Sequence, residues 1–151
     1  FDPARPAAYP GRVLHWPPGL AQPIMGRLVG GCLSVLVTSL GTPWSIDTRG
    51  AILLLEDVDE PPYRLDRLLT HLKAAGKLST VRAVVWGGLL RCDSDPPGLL
   101  ETMLRDVFAD APYPVLWGLP CGHGELNLAV PLGALARLER GPAGSATLRV
   151  P

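Results

Sequence analysis

Hydrophobic residues in the middle of the chain fall into three short continuous runs. The runs AILLLE, RAVVWGG and PVLWGLP, at residues 51–56, 82–88 and 114–120, are bounded by turn residues and predict buried strands. Leucines recur at helical spacing after the first run, and apolar residues do so again after the second, behind a candidate N-cap at Asp95. The resulting β-α-β-α-β order has connections long enough for right-handed crossovers, so it predicts parallel strands.

The hydrophobic pattern differs on either side of this central region. The segments RVLHW, GRLVG, LNLAVPL, ALARLER and SATLRV are short or alternate between apolar and polar residues, which is typical of antiparallel strands. In GGCLSVLVTSLG the apolar residues Leu33, Leu36, Val37 and Leu40 share one face of a predicted helix. The pattern as a whole predicts an α/β fold with a small parallel sheet, crossover helices and an additional antiparallel β layer.

The first residues, FDPARPAAYPGR, are rich in proline and show no periodicity. Such a stretch predicts a linker or an exposed arm, and a chain that starts in this way is expected to be one piece of a longer protein. We place the arm at residues 1–25 and the folded domain at residues 26–151.

Composition argues against several classes of function. The 14 basic and 14 acidic residues cancel and no basic run stands out, which argues against a nucleic-acid or anionic-membrane partner. No apolar run approaches the roughly 20 residues that cross a bilayer. The three cysteines, Cys32, Cys92 and Cys121, are odd in number and far apart, which argues against a disulfide framework and favours a reducing compartment.

Two residues with chemical potential follow predicted parallel strands. Glu56 ends the first strand and His123 follows the third, and open parallel sheets place their sites at the carboxyl ends of strands. A carboxylate that accepts a hydrogen bond from an imidazole fixes the tautomer of the histidine, which can then act as a general base. Glycines on both sides of His123 allow the backbone to bend there. Glu56 and His123 are therefore the candidate catalytic pair.

Structural roles for the same residues stay open at the level of sequence. Acids between a strand and a helix often cap the helix and complement its dipole, which is the expectation for Asp57, Asp59 and Glu60 and an alternative for Glu56. A single histidine in a glycine-rich turn can likewise be a turn residue.

Three other kinds of chemistry are alternatives to the acid–histidine pair. Cys121 and His123 could form a nucleophile pair, and Gly30–Gly31 could bind phosphate at a helix start, although each interpretation rests on two residues. A metal site is the third alternative, but no recognised ligand spacing organises it. Its candidate ligands are Cys92, Asp93, Asp95, Cys121 and His123.

Three segments of the chain resemble one known family, in the same order. GGCLSVLVTSLGTPW, ILLLEDVDEPPYRLDRLLTHLKAAGKL and VLWGLPCGHGELNLAVPLGALARL are similar to the C-terminal domain of the LD-carboxypeptidases, from about Gly26 to Leu138. These are serine peptidases that trim murein tetrapeptides in peptidoglycan recycling, and the microcin self-immunity peptidases belong with them. The resemblance implies a swivelling β/β/α-like C-terminal domain, with residues 1–25 as a linker or arm from a missing N-terminal domain.

The resemblance also implies a chemistry and the residues that perform it. It implies a Ser–His–Glu triad with Glu56 as the acid and His123 as the base, cleavage between a diamino acid and a terminal D-alanine, and no metal or organic cofactor. It further implies a cytoplasmic homodimer that contacts its own N-terminal domain and neither nucleic acid nor membrane. Two positions depart from the family pattern: Cys32 replaces an asparagine after the paired glycines, and Cys121 replaces an aromatic residue before the Gly-His pair.

The nucleophile of the implied triad is missing from the sequence. No serine follows a strand in the G-x-S-x pattern of a strand-to-helix elbow, so the resemblance implies that the nucleophile lies in the missing N-terminal domain and that this chain alone is inactive. Two alternatives remain: a non-catalytic binding or dimerisation module of the same fold, and a microcin-immunity-type peptidase that acts on a peptidyl-nucleotide.

Overall fold

The computed structural model describes residues 7–150, and their seven β-strands close into one mixed barrel. The strands are β1 (Ala7–His15), β2 (Ile24–Cys32), β3 (Ala51–Val58), β4 (Ala83–Leu90), β5 (Val115–Trp117), β6 (Leu135–Arg140) and β7 (Ser145–Val150). Around the barrel they follow the order β1-β5-β4-β3-β2-β6-β7. The helices of this part of the chain are α1 (Leu33–Thr38), α2 (Pro62–Ala74) and α3 (Leu99–Val107), with a 3₁₀ turn at Pro142–Gly144.

Three of the seven strand pairings in the barrel wall are parallel. The strands β2, β3, β4 and β5 are parallel neighbours, with α2 and α3 in the connections between β3, β4 and β5. None of the helices within residues 7–150 is long and apolar enough to cross a membrane.

The predicted fold class, a small parallel sheet with crossover helices and a separate antiparallel layer, is wrong. The structure is a closed seven-strand barrel made mostly of strand, and β1, β6 and β7 belong to the same sheet as the parallel strands. β6 pairs antiparallel with β2 and β7, while β1 pairs antiparallel with β5 and β7. An open parallel sheet would leave unpaired backbone groups on β2 and β5; the antiparallel strands pair with both of these edges, which closes the sheet on itself.

Two of the segments predicted as antiparallel strands also differ from the prediction. GRLVG lies in β2, which is antiparallel to β6 but parallel to β3, and LNLAVPL forms no strand. Within the predicted linker or arm, residues 1–6 lie outside the described part of the chain, whereas Ala7–His15 is β1. β1 pairs with β7 from Ala7 opposite Val150 to Arg12 opposite Ser145. A missing N-terminal domain remains a prediction.

Two hydrophobic clusters lie on the two faces of the barrel wall. Ile52 and Leu54 of β3 belong to the cluster that fills the barrel interior. Leu53 and Leu55 belong to the cluster between the outside of the barrel and the helices. Because side chains alternate along a strand, Glu56 is the next inward position after Leu54. Its carboxylate therefore lies at the end of the barrel interior where the parallel strands finish.

Candidate active site

The structure brings Glu56 and His123 into direct contact. Nδ1 of the His123 ring lies 2.6 Å from Oε2 of Glu56, and the backbone N–H of His123 donates to the same oxygen at 3.1 Å. A carboxylate oxygen accepts hydrogen bonds, so the ring proton belongs on Nδ1. The other ring nitrogen, Nε2, is then left with a free lone pair, which is the state that a general base requires.

The two side chains of the pair differ in exposure. The side chain of Glu56 is 10% exposed, whereas that of His123 is 50% exposed. An unpaired buried carboxylate would be costly, and the two hydrogen bonds from His123 offset that cost. Within residues 7–150 the imidazole makes no other hydrogen bond, so a group approaching from solvent can reach it.

Glycines allow the turn that carries His123 to lie against the end of the barrel. Gly122 has φ +83°, and a Cβ at this position would lie 2.7 Å from Oε2 of Glu56. A Cβ on Gly88 would lie 2.5 Å from N of Gly124, and Gly88 donates its N–H to the carbonyl of Cys121 at 2.7 Å. The sequence predicted that the glycines beside His123 allow the backbone to bend, and the positive φ of Gly122 agrees with this prediction.

The role of the WGG sequence at the end of β4 was missed. A Cβ on Gly87 would lie 3.2 Å from Cβ of Glu56 and 2.7 Å from the carbonyl oxygen of Cys121. Gly87 and Gly88 therefore leave the space in which β3 and the His123 turn approach each other. The only signal in the sequence was a pair of glycines inside an otherwise apolar strand, which is a known mark of close backbone approach.

Asp57, the residue after Glu56, serves the opposite face of the barrel wall. It is 1% exposed, and its carboxylate accepts hydrogen bonds from the backbone of Ser34 at 2.8 Å and of Val58 at 2.9 Å. The thiol of Cys32, whose backbone lies opposite Glu56 in the β2–β3 register, contacts the side chains of Ser34 at 3.1 Å and Asp57 at 3.5 Å. Asp57 thereby attaches the start of α1 to the end of β3.

The prediction that the acids after Glu56 cap α2 is wrong. The N-cap of α2 is Pro61, and no side chain makes a capping hydrogen bond there. Asp59 accepts two hydrogen bonds from the guanidinium of Arg91, at 2.5 and 2.6 Å. These bonds, together with the charge of Arg91, lower the pKa of the Asp59 carboxyl. Glu60 lies 3.6 Å from Arg64, one helical turn onward. These acids pair with arginines because Pro61 and Pro62 leave few free amides at the start of the helix.

The cap of α3 also differs from the prediction. Asp93, not Asp95, accepts hydrogen bonds from the amides of Ser94, Gly98 and Leu100, at 3.0, 3.0 and 3.2 Å. These bonds lower the pKa of the Asp93 carboxyl. Asp93 is thus engaged in local structure.

The alternative chemistries fit the geometry less well. Burial, followed by the charge of Glu56, raises the pKa of the Cys121 thiol to about 11, so the thiolate needed for a cysteine nucleophile is disfavoured. No three His, Cys, Asp or Glu side chains are grouped as ligands of one metal ion in the described part of the chain. The amide of Ser34 at the start of α1 already binds Asp57, and Gly30 is explained by packing, since a Cβ there would lie 1.8 Å from the carbonyl oxygen of Leu54.

Comparison with known proteins identifies the family. Residues 25–138 match the LD-carboxypeptidase C-terminal domain. The chain belongs to the LD-carboxypeptidase family. The resemblance carried by the three sequence motifs is therefore confirmed, and the family is one of hydrolases that act as carboxypeptidases.

Individual LD-carboxypeptidase relatives agree with this assignment. A probable murein peptide carboxypeptidase of Bacillus subtilis is 43% identical over 130 residues, which are 81% of this chain and 38% of that protein. A putative carboxypeptidase of Synechocystis is 41% identical over 133 residues, 86% of this chain and 43% of that protein. The crystal structure of muramoyltetrapeptide carboxypeptidase from Oxalobacter formigenes has a TM-score of 0.81 and 30% identity, covering 96% of this chain and 50% of that one. The chain thus spans half or less of the length of these relatives.

Proposed function

We propose that this chain is the C-terminal domain of a serine-type LD-carboxypeptidase that removes the terminal D-alanine from murein tetrapeptides. In this proposal Glu56 and His123 are two members of a Ser–His–Glu triad whose serine lies in an N-terminal domain. The observation that carries the proposal is the 2.6 Å contact between Nδ1 of His123 and the buried carboxylate of Glu56, at an edge where the imidazole stays half-exposed. The names of the relatives support the choice of a murein peptide as substrate.

The proposed mechanism follows from the orientation of the imidazole. Nε2 of His123 takes the proton of the serine hydroxyl while the serine oxygen attacks the carbonyl carbon of the diamino acid. The resulting imidazolium is stabilised by the carboxylate of Glu56 and then gives its proton to the departing D-alanine amine. Water hydrolyses the acyl-enzyme in the second half of the reaction, with His123 again as the base. Donors to the developing oxyanion are required as well, and we assign them to the N-terminal domain.

The absence of a nucleophile elbow in the sequence supports a split triad. Within residues 7–150 no serine side chain hydrogen-bonds to His123, and Ser34 at the start of α1 contacts Asp57 and Cys32 instead. A pair made of acid and base alone cannot form an acyl-enzyme. We therefore propose that the 151-residue chain is inactive without its N-terminal domain.

Release of D-alanine from a murein tetrapeptide tests this proposal. The isolated chain should show none, and the full-length parent enzyme should show turnover. In the parent, Glu56→Gln and His123→Ala should each lower kcat on the order of 10⁴-fold, by analogy with other serine triads. Glu125→Gln is the matched control, because Glu125 is exposed in the same loop as His123 and takes no part in the proposed mechanism.

Three outcomes would contradict parts of the proposal. Release of D-alanine by the isolated chain would refute the split triad. Near-full activity of Glu56→Gln in the parent would refute the role of the acid. Binding of the tetrapeptide by the parent without any cleavage would favour the non-catalytic module, and cleavage of a peptidyl-nucleotide in preference to the tetrapeptide would favour the immunity-type peptidase.

A further inference from the structure

The turn that carries His123 is closed by two hydrogen bonds that lie outside the Glu56–His123 pair. Oδ1 of Asn127 accepts the N–H of Gly122 at 3.0 Å, and the N–H of Leu128 donates to the carbonyl of Pro120 at 2.8 Å. A backbone N–H can only donate, so the amide atom of Asn127 that faces it is the oxygen. Residues 120–128 thus form a closed loop, called here the His123 loop.

We propose that Asn127 is a positioning residue that aims the imidazole of His123 at Glu56. Asn127 holds the amide of Gly122, and Glu56 holds the next amide, that of His123, at 3.1 Å. These two consecutive amides lie on either side of the φ and ψ angles of Gly122. When both are fixed, the backbone conformation of Gly122 is fixed, and with it the direction in which the side chain of His123 leaves the chain.

Glycine at position 122 makes such a clamp necessary. Gly122 must lack a Cβ because Glu56 occupies that space, and its φ of +83° lies where glycine is favoured. The same residue would otherwise populate many backbone conformations, and Gly124 adds further freedom on the other side of His123. The oxygen of Asn127 restricts this freedom by holding the N–H of Gly122. Glu56 alone does not do so, because its hydrogen bonds are to the backbone N–H and the ring of His123.

Two consequences follow for the state of the imidazole. With Asn127 in place, Nδ1–H remains directed at Oε2 of Glu56 and Nε2 remains the basic nitrogen. Without the Asn127 oxygen, one hydrogen bond of the ordered loop is lost, which shifts the balance toward disordered loop conformations roughly two- to tenfold. In those conformations the neutral ring is free to carry its proton on Nε2.

The tautomer of His123 can be measured in this chain without any catalysis. Imidazole ¹⁵N shifts, recorded above the pH at which the ring titrates, distinguish Nδ1–H from Nε2–H. We expect the unaltered chain to show the Nδ1–H form with a slowly exchanging proton. Asn127→Ala should lower the protection of that proton roughly two- to tenfold and introduce the Nε2–H form. Asn127→Asp keeps an acceptor oxygen in the same place and should restore the original spectrum.

A matched control separates this effect from general loosening of the loop. Glu125→Ala alters an exposed side chain of the same loop that makes no hydrogen bond within residues 7–150, so it should leave the tautomer unchanged. Equal midpoints of thermal unfolding in all variants would show that the barrel itself is intact. If Asn127→Ala loses protection of the Gly122 amide but keeps the Nδ1–H tautomer, Asn127 is only structural and the inference is overturned.

The inference rests on the proposed function only where it speaks of a general base, and the two can fail separately. An unchanged tautomer in Asn127→Ala overturns the inference alone. The expected tautomer changes, combined with no D-alanine release by the full-length enzyme, would support the inference and refute the proposed function. An unaltered chain that lacks the Nδ1–H form would overturn both.

Discussion

Substitution of Gly122 by alanine tests whether the close approach of the His123 loop to Glu56 has the energetic weight that its geometry implies. A Cβ at this position would lie 2.7 Å from both Cγ and Oε2 of Glu56 and 2.8 Å from its Cβ. Carbon atoms in contact are comfortable at about 3.5–4.0 Å. Glu56 cannot retreat cheaply, because its Oε2 is held by two hydrogen bonds from His123.

The magnitude of the effect has two parts. The backbone part is the cost of placing a residue with a Cβ at φ +83°, which is about 1–2 kcal/mol. The contact part corresponds to overpacking at a tightly packed site, about 1–3 kcal/mol. Gly122→Ala should therefore lower the free energy of unfolding by about 2–5 kcal/mol, a large share of the stability of an ordinary domain.

Gly118→Ala isolates the contact part. Gly118 has φ +81° and nothing within 4 Å of the position that a Cβ would take, so this variant carries the backbone cost without the contact. Both variants also lower the entropy of the unfolded chain equally. Urea unfolding of the two variants, followed by circular dichroism, should show Gly122→Ala to be the less stable by about 1–3 kcal/mol. Equal stabilities would refute the argument that Gly122 is required by the space that Glu56 occupies.

Three further predictions concern other parts of the molecule. Arg12 and Arg105 hydrogen-bond to Glu101 and lower its pKa from 4.5 to about 2; since the folded-state pKa is the lower one, the stabilisation is present above the ordinary pKa and is lost as the pH falls between these values. In acid unfolding, Glu101→Gln should lose less stability than the unaltered chain as the pH falls. The difference should be below about 1 kcal/mol because the ion pairs are partly exposed, and an identical pH dependence would contradict the prediction. Alkylation followed by mass spectrometry should modify the partly exposed Cys32 in the folded chain and the buried Cys92 and Cys121 only after unfolding; equal labelling of all three would show that the barrel opens readily. Three exposed leucines favour self-association of the isolated chain: Leu126 at 59%, Leu132 at 52% and Leu135 at 56% exposure. Sedimentation equilibrium would detect this association, and a strict monomer at high concentration would contradict the prediction.

The neighbourhood of Glu56 and His123 could be predicted from the sequence because it depends on local signals. Apolar runs located β3, β4 and β5, and the ends of parallel strands meet at one edge of a sheet. That rule alone brings residue 56 near the turn after residue 120. The catalytic role of the pair is a prediction that the proposed experiments test.

The closure of the barrel could not be predicted in the same way. It depends on pairing between the two ends of the described chain, where Ala7 lies opposite Val150. Alternating apolar and polar residues identify strands that bury one face, but they do not say which partner each strand will find. The segment RVLHW correctly predicted the second part of β1, but the proline-rich start concealed its residues 7–11. Proline is usually confined to sheet edges and bulges, and Pro10 lies inside β1 nonetheless.

The contacts that complete the site were missed for a related reason. Gly88 and Asn127 act through neighbours that are distant in sequence or lie across a loop: Gly88 meets Gly124, and Asn127 accepts a hydrogen bond from Gly122. Periodicity carries no information about such contacts. A pair of glycines within a strand was the only local trace of one of them, and the asparagine of the His123 loop left none.

Adjacent carboxylates on β3 make this strand intolerant of changes in length. Glu56 faces inward to His123, and Asp57 faces outward to the start of α1. Deletion of one residue between Ala51 and Leu55 would exchange these faces, because strand side chains alternate. The aspartate would then point at the imidazole with a side chain one methylene too short, and Val58 would replace the acceptor that α1 needs. Insertions and deletions should therefore be far rarer in β3 than substitutions of its apolar residues, and a library of length variants of this strand would be expected to yield almost no folded members.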